Sequence, residues 1–73
     1  MEGKLMRNKK TAELVQVTHW DCSWVHRSTG KFWERAFCYE VLGGERQGKR
    51  FVEELPGWEQ VWEPLWLAGE ARW

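Results

Sequence analysis

The sequence predicts a small α+β domain: a three- or four-stranded antiparallel β-meander followed by a short C-terminal helix. Between residues 16 and 42, two runs rich in aromatic and β-branched residues flank the turn signal Ser-Thr-Gly-Lys, which is the pattern of a β-hairpin. Near the C-terminus, apolar residues recur at helical spacing. The chain has 73 residues, which is room for one domain. We place that domain at residues 11–73, after a flexible basic N-terminal arm at residues 1–10.

The hairpin is the strongest element of the prediction. If Gly30 and Lys31 form a two-residue type II′ loop, Gly30 adopts a positive φ. This loop sets a register in which the opposed pairs are Trp20 with Val41, Cys22 with Tyr39, Trp24 with Phe37, and Ser28 with Trp33. These residues then share one apolar face, because side chains alternate along a strand.

The remaining elements follow from local composition. The first ten residues are polar, basic and without periodicity, which predicts a frayed arm. Residues 43–48 contain three glycines and no apolar residue, so they form a loop. Residues 49–55 supply the next strand, which Pro56 and Gly57 end.

The C-terminal segment carries two conflicting signals. Its apolar stripe consists of Trp58, Val61, Trp62, Leu65 and Trp66. Pro64 lies inside that stripe, where it would disrupt a continuous helix. We therefore expect a short strand over residues 58–62, then a short helix that begins with Pro64 and ends near Gly69.

The histidines and cysteines do not form a convincing metal or catalytic motif. His19, Cys22, His26 and Cys38 suggest zinc ligands only superficially, since His19 and Cys22 would point to opposite faces of a strand. The predicted register likewise places Cys22 and Cys38 on opposite faces, which excludes a disulfide between them. Cys22 and His26 would lie about 13 Å apart along a strand, too far for a nucleophile–base pair. The sequence therefore predicts no enzyme, no metal, no cofactor, and reduced thiols in a cytoplasmic protein.

A binding role fits the composition better. Seven Trp residues are more than one thin core readily hides, and Trp is enriched at interface hot spots. Net charge is zero and the C-terminal part is acidic, which argues against a DNA-coating protein. The conservative alternative is that the Trp series closes the core while arginines cover indoles from outside. The predicted partner-binding residues are Arg27, Lys31, Trp33, Arg35, Trp58, Trp62 and Trp66.

Two segments carry a resemblance to a known kind of protein. Val-His-Arg-Ser-Thr-Gly-Lys at the hairpin tip and Leu-Pro-Gly-Trp-Glu-Gln-Val-Trp-Glu-Pro-Leu-Trp-Leu near the end occur in a short, Trp-rich chain. In size and character, over its whole length, the chain resembles the small transcription regulators of lytic Xanthomonas phages that bind bacterial RNA polymerase. The resemblance implies inhibition of transcription initiation by interference with the polymerase–sigma assembly, without enzymatic activity.

On this basis we expect a monomer in the host bacterial cytoplasm that binds bacterial RNA polymerase and makes no membrane contact. The alternative is a nucleic-acid-binding module that uses an aromatic and basic face of the hairpin. Such a face would stack bases on its rings and hold phosphates with its cations.

Overall fold

A computed structural model of the chain describes residues 1–65. All five strands belong to one antiparallel sheet with the order β4-β3-β2-β1-β5. In chain order the elements are β1 (Leu5–Asn8), β2 (Leu14–Val25), β3 (Phe32–Val41), β4 (Arg50–Glu54), a 3₁₀ turn (Trp58–Gln60) and β5 (Trp62–Pro64).

The α+β prediction is wrong: residues 1–65 form an all-β fold whose only helical element is the 3₁₀ turn. Gly57 enters that turn with φ of 86°. Pro64 belongs to β5 and pairs with Met6 of β1, because an edge strand tolerates the missing N–H of proline. The expected helix after Pro64 otherwise lies outside the described residues. Within the described part, no helix is long and apolar enough to cross a membrane.

Residues 1–10 contain strand β1, although the sequence suggested a flexible arm. Met6 is fully buried and pairs with Val15 on one side and Pro64 on the other. The charged residues around Met6 made this strand hard to recognise in the sequence, since side chains such as that of Arg7 lie on the exposed face. The Asn8 side chain accepts hydrogen bonds from the backbone N–H groups of Lys10 and Thr11, which turns the chain toward β2.

The β2–β3 hairpin is confirmed, but its loop and register differ from the prediction. The loop is longer than two residues: the N–H of His26 donates to Lys31 O, and that of Gly30 to His26 O. Gly30 has the expected positive φ, at 73°. The longer loop and three irregularities in the ladder together set the observed pairs, which include Trp20 with Phe37, Cys22 with Ala36, and Trp24 with Trp33. Each bulge inserts an unpaired residue and so changes which side chains oppose one another.

The sheet is curled, so that one of its faces encloses the core. Its two edge strands, β4 and β5, contact each other across that face. Trp62 of β5 lies with its ring centroid 4.9 Å from that of Tyr39 on β3. Glu53 of β4 accepts hydrogen bonds from Tyr39 Oη at 2.6 Å and Trp62 Nε1 at 2.9 Å. The buried cluster consists of Met6, Val15, Val17, Phe37, Tyr39, Val41, Leu55 and Trp62. The opposite face of β2, β3 and β4 remains open to solvent.

Candidate partner-binding groove and hairpin tip

The β2–β3 hairpin extends beyond the rest of the sheet. Strand β2 has 12 residues, but β1 pairs only with its first part, Leu14–Gln16. The far end of the hairpin, residues 24–33, is called the hairpin tip below. Trp24 pairs with Trp33 on one face of the tip, while Val25 pairs with Phe32 on the other. Trp24, Val25 and Phe32 are 38%, 56% and 59% exposed, so both faces of the tip present apolar surface.

A groove of about 680 Å³ runs along the open face of β2, β3 and β4. The bulge after Val17 turns His19 onto this face, opposite Cys38, and the His19 ring lies 6.0 Å from that of Trp24. Strand β4 adds the far wall. We call this the outer groove; its lining residues are Thr18, His19, Trp24, His26, Trp33, Cys38, Arg50, Phe51 and Val52.

The cations around the groove and the tip differ in how they are held. Lys31 Nζ lies 4.9 Å from the Trp33 ring centroid, a cation–π contact. Arg50 is paired with Glu40 at 3.2 Å. Arg35 donates two hydrogen bonds to Asp21, at 2.9 and 3.1 Å, and these bonds lower the pKa of the Asp21 carboxyl. The groove therefore combines aromatic walls with a rim of mixed charge.

The structure brings together the predicted site residues of the hairpin. Arg27 is exposed in the loop of the tip, Lys31 covers Trp33, and Trp33 lines the outer groove. Arg35 lies just beyond the tip and is held by Asp21 across the hairpin. These four side chains belong to one continuous part of the molecule.

The predicted Trp58, Trp62 and Trp66 series is arranged differently. Trp62 is 2% exposed in the core. Trp58 is half-buried, with its ring edge-on to Trp20 at 5.2 Å. Phe37, in the middle of β3, is fully buried. Trp66 lies outside the described residues. Within residues 1–65, Trp58 and Trp62 therefore close the core, which was the conservative alternative.

Several residues of the site were missed from the sequence. Val25 and Phe32 could have been found, since they flank the turn where no other strand is expected to cover them. His19 could not, because its orientation depends on a bulge that has no clear sequence signal.

The two thiols are also placed differently from the prediction. Cys22 pairs with Ala36, and Cys38 lies two residues farther along β3, so both cysteines face the same side of the sheet. Burial is the largest cause that raises the pKa of Cys38 to about 11, and the charge and hydrogen bonding of the neighbouring Cys22 raise it further. Among residues 1–65, no three His, Cys, Asp or Glu side chains are grouped so that they could hold a metal ion.

Comparison with known protein families, curated proteins and solved structures gave no match to this chain. The functional argument therefore depends on the hairpin tip and the outer groove themselves.

Proposed function

We propose that this protein is a non-enzymatic inhibitor that binds another protein by inserting its hairpin tip into a cleft of that partner. The observation that carries the proposal is the apolar surface on both faces of the tip: Trp24 on one side, Val25 and Phe32 on the other. A two-faced apolar projection suits a partner that closes around it from both sides.

The side chains of the tip are of the kinds that dominate binding energy. Burying one aromatic side chain removes about 150–250 Å² from water. Trp and Arg are enriched among hot spots, and the tip combines Trp24 with Arg27. The backbone of the tip is held by the β2–β3 ladder and by the loop hydrogen bonds of His26. A preorganised tip loses less conformational entropy on binding than a flexible arm would.

The proposed partner is bacterial RNA polymerase, and this part of the proposal rests on the resemblance of the whole chain, in size and character, to phage transcription regulators. The mechanism is occlusion: a wedge of this size covers a polymerase surface that the sigma assembly needs. The protein then acts as a monomer in the bacterial cytoplasm, without a cofactor.

Binding of the full chain to purified bacterial RNA polymerase tests the proposal directly. We expect Phe32→Ala and Trp24→Ala each to weaken binding by at least about 2 kcal/mol, a factor of roughly 30. Leu42→Ala is the matched control, because Leu42 is 37% exposed but follows the opposite end of β3. It should bind as wild type does.

Each variant is first checked for an unchanged far-ultraviolet spectrum and melting temperature. Absence of wild-type binding would exclude polymerase as the partner. Wild-type affinity in both well-folded tip variants would instead exclude the tip as the anchor.

A second candidate function is binding of single-stranded nucleic acid in the outer groove. The contact that favours it is Lys31 over Trp33, opposite Trp24, since aromatic rings beside a cation stack bases and hold phosphates. Opposing it, Arg35 and Arg50 are both paired with carboxylates. Protein binding is therefore the better supported function.

A further inference from the structure

Neither cysteine takes part in the proposed binding function, yet the two thiols are neighbours on the open face of the sheet. The Cys22 thiol donates to the backbone carbonyl of Ala36 at 3.6 Å, and it lies close enough to Cys38 to help raise the pKa of that thiol. Cys38 forms part of the lining of the outer groove. The chain has no other cysteine.

A bulge explains why these two residues lie on the same face of the sheet. In a regular ladder, diagonal neighbours have Cα atoms about 7–8 Å apart, beyond the usual reach of a disulfide. Here Asp21, with φ of 55°, directly precedes Cys22 and shifts β2 by one residue against β3. Such a bulge bends its strand and increases the local twist. Arg35 on β3 donates two hydrogen bonds to the Asp21 carboxylate, and this contact holds the bulge of β2 against β3.

We propose that Cys22 and Cys38 form a reversible intramolecular disulfide when the protein meets a small disulfide oxidant such as glutathione disulfide. The Cys22 thiolate attacks one sulfur of the oxidant, whose S–S bond breaks and releases one glutathione thiolate. Cys38 then loses its proton to solvent and attacks Cys22 Sγ, which releases the second glutathione. Two cysteine thiols are oxidised and one glutathione disulfide is reduced to two glutathione thiols.

The order of the two steps follows from accessibility. Cys38 is only 5% exposed, so glutathione disulfide, which consists of two linked tripeptides, cannot reach it in the folded protein. Cys22 is half-buried and makes the first contact. Because burial keeps Cys38 in its protonated form at neutral pH, it acts as the second, resolving thiol. Reversible formation is also the behaviour expected of disulfides in a reducing cytoplasm.

The experiment exposes the reduced full-length protein to glutathione disulfide without denaturant, then blocks remaining thiols and measures the intact mass. The expected product has lost two hydrogen atoms, carries no blocking group and returns to the dithiol with dithiothreitol. Cys38→Ala should stop at a single glutathione adduct. Cys22→Ser should remain unmodified while folded.

Tryptic mapping of the oxidised wild-type protein provides a measurement that does not depend on how the variants fold. Cleavage after Lys10, Arg27, Arg35 and Arg46 separates the two cysteines into peptides 11–27 and 36–46. These peptides should be joined before reduction and separate after it. A wild-type protein that keeps both thiols, accumulates the glutathione adduct or links to a second chain would overturn the proposal.

Discussion

At the scale of single residues, Glu53 connects the two edges of the curled sheet. Its carboxylate accepts one hydrogen bond from Tyr39 on the central part of the sheet and one from Trp62 on the far edge. Burial is the largest cause that raises the pKa of the Tyr39 hydroxyl above its usual range, and the hydrogen bond to Glu53 adds to it. Tyr39 is thus held in its neutral, donating form.

We predict that stability decreases in alkaline solution because of Tyr39 and Cys38. Both groups have a higher pKa in the folded protein than their ordinary values. Their contribution to stability is therefore complete below the pKa values of the unfolded chain, about 8.5 for Cys and 10 for Tyr. It is lost as the pH rises through the pKa values of the folded protein. The free energy of unfolding, measured in urea between about pH 7 and pH 11, should stay level up to roughly pH 8.5 and then decrease.

Two variants separate these contributions. Tyr39→Phe should lower the free energy of unfolding by about 1–3 kcal/mol at neutral pH, because Glu53 loses a hydrogen-bond donor. Above about pH 10, the free energy of unfolding of this variant should decrease less steeply than that of the wild type. Ser23→Ala is the control for hydroxyl removal, since Ser23 donates to Glu34 O in an exposed position. If the free energy of unfolding of a Tyr39→Phe, Cys38→Ala double variant decreased as steeply in alkaline solution as that of the wild type, other groups would be the cause of the decrease.

At the scale of elements, the hairpin loop depends on Gly30. Its φ of 73° lies in the left-handed region, and nothing lies within 4 Å of a Cβ added there. We predict that Gly30→Val lowers stability by more than about 1 kcal/mol through backbone strain alone. Gly43→Val is matched to it, because Gly43 also has open space but no positive φ. Equal melting temperatures for the two variants would contradict the loop conformation.

The hairpin and the conformation of Gly30 could be predicted from the sequence, because both depend on local signals. The register could not, since it depends on a loop longer than two residues and on a one-residue shift at Asp21, where a left-handed backbone is unusual but tolerated. That shift reversed the relation of Cys22 to Cys38 and hid the outer groove. Strand β1 was missed because only one of its residues, Met6, is fully buried.

The segment after Pro56 could be predicted only in part. The spacing of Trp58, Val61 and Trp62 fits a helical stripe, but Pro64 led us to expect a strand over residues 58–62 and a helix only after it. The structure places a 3₁₀ turn at Trp58–Gln60 and strand β5 at Trp62–Pro64. Trp62 instead fills the core between Phe37 and Tyr39, as a strand residue of β5. Periodicity alone does not separate these outcomes over so short a segment.

At the scale of the whole molecule, the curl of the sheet divides the aromatic residues into two groups. Trp62, Phe37 and Tyr39 supply the large side chains of the core, while Trp24 and Phe32 remain exposed at the far end of the hairpin. A chain this short has a thin core, so three large rings replace many smaller side chains. The exposed group is the one that we propose contacts a partner.

The dependence of binding on salt distinguishes the two candidate functions of this exposed group. Phosphate contacts release counterions, so binding of single-stranded DNA or RNA should fall steeply, by orders of magnitude, between roughly 50 and 200 mM salt. Binding anchored by Trp24 and Phe32 depends mainly on apolar burial and should weaken much less. We predict only a modest loss of affinity for RNA polymerase over this range. Lys31→Gln should slightly change how affinity for RNA polymerase depends on salt concentration. Phe32→Ala should instead lower that affinity equally at every salt concentration. Tight, steeply salt-dependent binding to naked nucleic acid, with none to polymerase, would establish the outer groove as a nucleic-acid site instead.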